Sequence, residues 1–155
     1  MATILIDFDG TCIPSLPMGG RTTYRTGADR VLKKLVDNGH KLVLWTCRND
    51  SEDNPYNTVS KEIYKETSLE EAQRWFKENN LPLFGINSSP EEVEKIGTGR
   101  KILGDYLIDD TAIGTPIKYV TINYYSGLSE SNEILKTFHV DWEIIEVYLE
   151  KLGLI

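Results

Sequence analysis

The residues of this 155-residue chain best suited to chemistry are two clusters of acids. Asp7 and Asp9 stand two apart in the run Asp7-Phe8-Asp9-Gly10-Thr11, and Asp109-Asp110 stand side by side much later. In an extended segment, side chains at i and i+2 point the same way, so Asp7 and Asp9 can face one substrate. One carboxylate can attack phosphorus and carry the phosphoryl group as an acyl phosphate. The other can protonate the leaving oxygen and later deprotonate water. Crowding this many carboxylates together is strongly unfavourable without a cation. The pattern therefore calls for a hard divalent ion, and Mg2+ suits carboxylates, water and phosphate as ligands. Asp7, Asp109 and Asp110 are its candidate ligands. Gly10 permits a sharp turn. The Thr11 and Thr46 hydroxyls can hydrogen-bond phosphoryl oxygens. Lys101, eight residues before Asp109, can neutralise both the phosphate and the nucleophile. Cys47, Arg48 and Asn87 are further candidate contacts for the phosphate or substrate, Arg48 reading equally as a surface ion-pair partner.

Elements that position these residues are legible in the apolar patterning. Residues 3–8 and 41–45 read as short buried strands, with a helix over 27–38 between them. A third strand is predicted over 81–86 and a fourth over 105–108. A fifth is predicted over 117–124. Residues 12–26, rich in Pro and Gly, read as a loop. Ser68 followed by Glu71 predicts a capping box opening a helix over 69–79. A helical turn is predicted around 59–65, a short helix from Ser89, and an amphipathic helix over 141–152. His139 falls in a predicted turn. Strands alternating with helices predict an α/β fold: a Rossmann-like three-layer sandwich with a mostly parallel sheet and helices on both faces. Ligand sites in such sheets lie at the carboxyl ends of the strands. Asp7 to Thr11, Thr46-Cys47-Arg48, Asn87-Ser88 and Asp109-Asp110 all fall there, whereas Asp105 falls at the opposite end of its strand and reads as structural.

These motifs, in this order, resemble those of the haloacid dehalogenase-like hydrolase superfamily. DFDGT at Asp7 to Thr11 is similar to its first motif, the strand ending at Thr46 to its second, Lys101 to its third-motif base, and Leu107-Ile108-Asp109-Asp110 to its acidic fourth motif. The resemblance spans roughly the first 115 residues. It implies that Asp7 is the nucleophile and a metal ligand. It implies that Asp9 is the general acid/base and binds the metal through its backbone carbonyl. Asp110 would be the direct ligand with Asp109 alongside, and Arg100 competes with Lys101 for the basic role. A carboxylate at position 9 is what phosphatase members carry, so the implied activity is hydrolysis of a phosphomonoester through an aspartyl-phosphate. Alternatives are a 5′-deoxynucleotidase-like nucleotide phosphatase and a non-catalytic metal- or phosphate-binding module. The interval between Thr46 and Lys101 leaves no room for a large cap, so the type resembled is small and capless or minimally capped, with residues 49–67 as a candidate lid.

Composition limits the remaining choices. Hydrophobic residues make up 40% and charged residues 26%, which suits one packed domain over residues 1–155. A net charge of −7 opposes non-specific nucleic-acid binding but leaves open a small phosphorylated substrate, a nucleotide among them. The basic stretch 21–34 reads either as a solvated face or as Arg21 or Arg25 reaching a phosphate. Two cysteines, Cys12 and Cys47, exclude a disulfide framework and a cysteine-rich zinc site. No leader-like or membrane-spanning run is present, and a cytoplasmic location is the expectation. The oligomeric state is left open.

Overall fold

The computed structural model describes residues 1–88, 94 and 102–155. Lys101, Arg100 and the helix expected from Ser89 lie outside the described residues.

Four short strands form a parallel sheet: β1 (Thr3–Ile6), β3 (Lys41–Leu44), β4 (Leu83–Ile86) and β5 (Tyr106–Ile108), in the order β4-β3-β1-β5. Their register aligns the carboxyl ends, since Ile6 faces both Leu44 and Ile108, and Leu44 faces Ile86. Side chains alternate across the sheet as strand geometry requires. Ile4, Ile6, Leu42 and Leu44 enter one core cluster, whereas Leu5 and Val43 enter another with Ile102. Helix α1 (Ala28–Asp37) covers the first face through Val31, Leu32 and Leu35. Helix α3 (Ser68–Glu78) adds Ala72 and Phe76, and α4 (Trp142–Lys151) adds Trp142, Ile145 and Leu149. Close approach is needed on the second face at Gly104, where a Cβ would lie 2.6 Å from Leu5 Cγ.

The chain is thus an α/β protein with a parallel sheet, but the sequence expectations need correction at several points. The strand expected over 117–124 does not extend the parallel sheet. It is β6 (Ile117–Ser126), paired antiparallel along its whole length with β7 (Ser131–Val140), while β2 (Gly20–Arg21) pairs with its far end. β7 was not expected because its first residues are polar and exposed, and only its final His139 and Val140 are buried. His139 is accordingly a buried strand residue, with Nδ1 2.7 Å from the Val140 carbonyl, and not a turn residue. Burial lowers its pKa from the ordinary histidine value.

Helix α2 (Pro55–Tyr64) is longer than the single turn expected. Asn54 caps it by accepting from Tyr56 N, and Pro55 occupies the first turn, where its missing N–H costs nothing. The capping box of α3 sits one residue earlier than expected. Thr67 and Glu70 form it, because Thr-Ser-Leu-Glu-Glu satisfies the pattern in two frames. That shift releases Ser68 and Glu71 for other partners.

The carboxyl-terminal elements reach back to the start of the chain. Trp142 Nε1 donates to the Thr11 carbonyl at 2.8 Å in a buried contact, and Val140 N donates to the Gly10 carbonyl at 2.8 Å. Trp142→Phe removes the donor and leaves a buried carbonyl unsatisfied. We expect a loss of about 1–3 kcal/mol, read as a lower urea midpoint at unchanged slope. An unshifted midpoint would show that this contact does not anchor the loop.

Candidate metal and phosphate site

The aligned strand ends place the polar residues on one rim. Asp7 N donates to the Ile108 carbonyl at 3.0 Å and so continues the β1–β5 ladder by one step, bringing Asp7 beside Asp109. Phe8 is buried, and its carbonyl accepts from Cys12 N at 2.9 Å as the chain turns. Gly10 makes that turn at φ 71°, and a Cβ there would lie 2.5 Å from Asp110 Oδ2. Position 10 therefore needs glycine for both conformation and space.

Carboxylate oxygens of Asp7, Asp109 and Asp110 lie within 4.8 Å of one another, the one acidic trio of this kind among the described residues. Buried Thr11 ties it together. Its hydroxyl donates to Asp7 Oδ2 at 2.9 Å and accepts from Asp110 N at 3.1 Å. Asp109 Oδ1 accepts from Thr111 N at 2.7 Å and from the Thr111 hydroxyl at 2.6 Å. Burial pushes the Asp7 carboxyl up to about 7, and the neighbouring Asp109 and Asp110 charges add to this against the Thr11 hydrogen bond. Asp110 is raised as well, by burial first and then by Asp109. Such a trio fits a divalent cation: hard oxygen donors, converging, and costly to ionise alone. A bound cation would reverse these shifts.

The Asp9 carboxylate is not part of the trio. Arg48 grips both its oxygens, with Nε to Oδ2 at 2.8 Å and Nη2 to Oδ1 at 2.7 Å. The same guanidinium donates to the Ser68 carbonyl at 3.0 Å and to Glu71 at 2.8 Å, and its carbon lies 4.6 Å from the centre of the Phe8 ring. Burial would lower the Arg48 pKa, but hydrogen bonds and charges from Asp9 and Glu71 outweigh it and hold the pKa above the ordinary arginine range. Arg48 is thus an ion-pair partner of Asp9, half-buried itself while the Asp9 side chain is 47% exposed. Thr46 accepts from Arg48 N at 3.1 Å. Asn87, at φ 48°, accepts from Thr46 N at 2.8 Å and donates to the Thr46 carbonyl at 2.9 Å. Its amide oxygen and one amide N–H are therefore committed to the backbone of Thr46, just past the end of β3. Arg21 pairs with Glu66 and Glu71 and stacks on Tyr64, and Arg25 pairs with Asp29, so neither presents an unpaired charge to a phosphate. At the opposite edge Asp105 accepts from Thr3 N at 2.7 Å.

Cys12 is buried, with Sγ 3.3 Å from the Asp7 carbonyl, whereas Cys47 is exposed. Cys47 lines a cavity of about 340 Å3 with Asp9 and Arg48, walled by α2 and residues 15–20. Residues 49–67 are tied down at the rim: Asn57 is buried, donates to the Ser51 carbonyl at 2.8 Å and accepts from Ser68 N at 2.8 Å. Sequence reasoning missed Glu71 and Ser68, which the capping expectation had absorbed, and Trp142, which no local signal links to position 11.

No protein-family model matches the chain. No curated protein matches it either. Among solved structures it is similar to one described as a conserved protein coded by a locus from Bacteroides thetaiotaomicron, at 28% identity. That likeness covers 73% of this chain and 78% of the other at a TM-score of 0.49, too loose to assign fold or activity. No helix among the described residues is long and apolar enough to cross a membrane.

Two outcomes are expected of the trio. Without a cation, the folded chain holds the Asp7 proton more tightly than the unfolded chain does. Its contribution to stability is therefore fully present below the unfolded carboxylate value and lost as pH rises through about 7. Millimolar Mg2+ should then raise the melting temperature more at about pH 8 than at about pH 6, and an equal gain at both would count against binding at Asp7. Gly10→Ala should weaken Mg2+ binding by about tenfold or more through its clash with Asp110, measured by calorimetry on protein whose circular dichroism is unchanged.

Proposed function

We propose that this protein is a magnesium-dependent phosphomonoester hydrolase of the haloacid dehalogenase-like kind, built as a Rossmann-like three-layer sandwich with a minimal cap. The observation that carries the proposal is the Asp7, Asp109 and Asp110 trio bridged by Thr11. Strand order supports it, since β1 lies between β3 and β5 and the three motif-bearing ends share one rim. Asp7, Asp109 and Asp110 would hold Mg2+, which supplies charge neutralisation for the phosphoryl oxygens. The net charge of −7 supports a small substrate over a nucleic-acid backbone, and a cytoplasmic site of action is part of the same proposal.

In the first step Asp7 Oδ bonds to phosphorus, the ester P–O bond breaks, and Asp9 gives its proton to the departing alkoxide. In the second, Asp9 takes a proton from water, the oxygen of that water bonds to phosphorus, and the bond to Asp7 breaks to release inorganic phosphate. Arg48 orients Asp9 for both transfers and must loosen from one oxygen for that oxygen to carry the proton. Glu71 and the Ser68 carbonyl keep the guanidinium in place when it does.

Phosphate release from a phosphomonoester panel tests this. Turnover should require Mg2+ and vanish in Asp7→Asn. Asp9→Asn should lower kcat by about 100-fold or more while Mg2+ affinity stays within about twofold, because Asp9 lies outside the trio. A folded protein that binds Mg2+ and turns over nothing would instead be a metal- or phosphate-binding module.

A further inference from the structure

The hairpin of β6 and β7 leaves one edge open. β7 pairs with β6 on one side, and among the described residues no strand lies on the other. Backbone groups alternate in direction along an antiparallel strand. The Phe138 carbonyl accepts from Ser15 N at 3.0 Å, and Val140 N donates to the Gly10 carbonyl at 2.8 Å. Even-numbered residues of β7 therefore turn their backbone groups away from β6. Asn132, Ile134 and Lys136 do so as well, and their outward N–H and C=O groups have no hydrogen-bond partner among the described residues. All three residues are exposed, Ile134 by 75%.

Soluble proteins blunt such edges with prolines, bulges or a covering element. Residues 131–137 contain no proline, and their pairing with β6 has no bulge. The open stretch runs from Ser131, where the strand starts, to Thr137, after which Ser15 covers the edge. Its midpoint is Ile134.

We infer that this edge pairs with the same edge of a second copy of the chain, antiparallel about a two-fold axis at Ile134. In that register Ile134 faces Ile134 of the second copy, and Asn132 faces its Lys136, twice by symmetry. Three residues, each with one N–H and one C=O, then exchange six hydrogen bonds across the axis. Other two-fold registers do worse. Centring on Glu133 or on Lys136 sets like charges directly opposite each other. Centring on Leu135 brings Asn132 against Phe138, whose carbonyl Ser15 already occupies. Glu133 does not oppose the pairing, because its carboxylate accepts from the Tyr124, Ser129 and Ser131 hydroxyls. The product is one continuous antiparallel sheet across both copies, in the order β2-β6-β7-β7-β6-β2. This inference is independent of the hydrolase reading.

Sedimentation velocity on the full chain tests it, at concentrations from about 5 to about 500 µM. The interface is short, so the dimer should form with a Kd on the order of 10–100 µM. Ile134→Pro removes an N–H that bonds nothing within the chain, and it should stay monomeric across the range with an unchanged circular dichroism spectrum. Asn132→Asp sets an acid opposite Lys136 of the second copy and should tighten the dimer by about threefold to tenfold. Asn132→Lys sets like charges there and should weaken it by a similar factor. A parent chain that stays monomeric overturns the inference, as does an Ile134→Pro chain that dimerises equally well. Asn132→Asp and Asn132→Lys shifting the Kd in the same direction, or not at all, would also overturn it. If Ile134→Pro does not fold, the two Asn132 variants decide alone.

Discussion

Everything at this site depends on holding three like charges close together. Carboxylates at such separations repel, and burial makes each costlier to ionise. The fold meets that cost with covalent proximity and hydrogen bonding. Asp109 and Asp110 are adjacent in sequence, Asp7 is brought alongside by one extra step of the β1–β5 ladder, and the Thr11 hydroxyl joins the two segments. The absent side chain at Gly10 leaves the space that Asp110 fills. Packing elsewhere serves this rim, since the apolar faces of α1, α3 and α4 fix the strands whose ends carry it.

Beside the trio runs a chain of alternating charge. Asp9 meets Arg48, Arg48 meets Glu71, Glu71 meets Arg21, and Arg21 meets Glu66, which Arg74 also holds. Exposed ion pairs taken singly contribute little. Here the Arg48–Glu71 link is shielded, with the Arg48 side chain 14% exposed and Glu71 18%, whereas the Asp9 end stands 47% exposed. The chain fixes α3 against the segment that follows β3 and the end of β2. Glu71 and Leu16 line both the cavity beside Asp9 and a second hollow that holds Arg21, so the Arg21–Glu71 pair separates the two.

How much of this is legible in the sequence follows from which features are local. β1, α1, β3 and β5 lie within one or two residues of expectation, because short apolar runs ending in acids or glycine are local signals. The acidic trio is implied by the same signals, since parallel strands in register must align their ends. What escaped notice involves a choice of partner. Arg48 selects Asp9 and Glu71 across separations that no periodicity encodes. Asn87 serves the backbone of Thr46, past the end of β3, and its left-handed conformation is not written in its neighbours. β7 is a strand because β6 pairs with it, not because its polar first half favours one.

The contacts from Val140 and Trp142 to Gly10 and Thr11 bear on how the protein is made. Synthesis proceeds from the amino terminus, so the acids near residue 7 and residue 110 emerge before the hairpin and helix that brace their loop. A nascent chain ending near residue 115 would own all three carboxylates yet lack the pieces that hold Gly10 and Thr11 in place. On the proposed reading, the trio would therefore reach its final geometry only once this hairpin and helix have folded against Gly10 and Thr11.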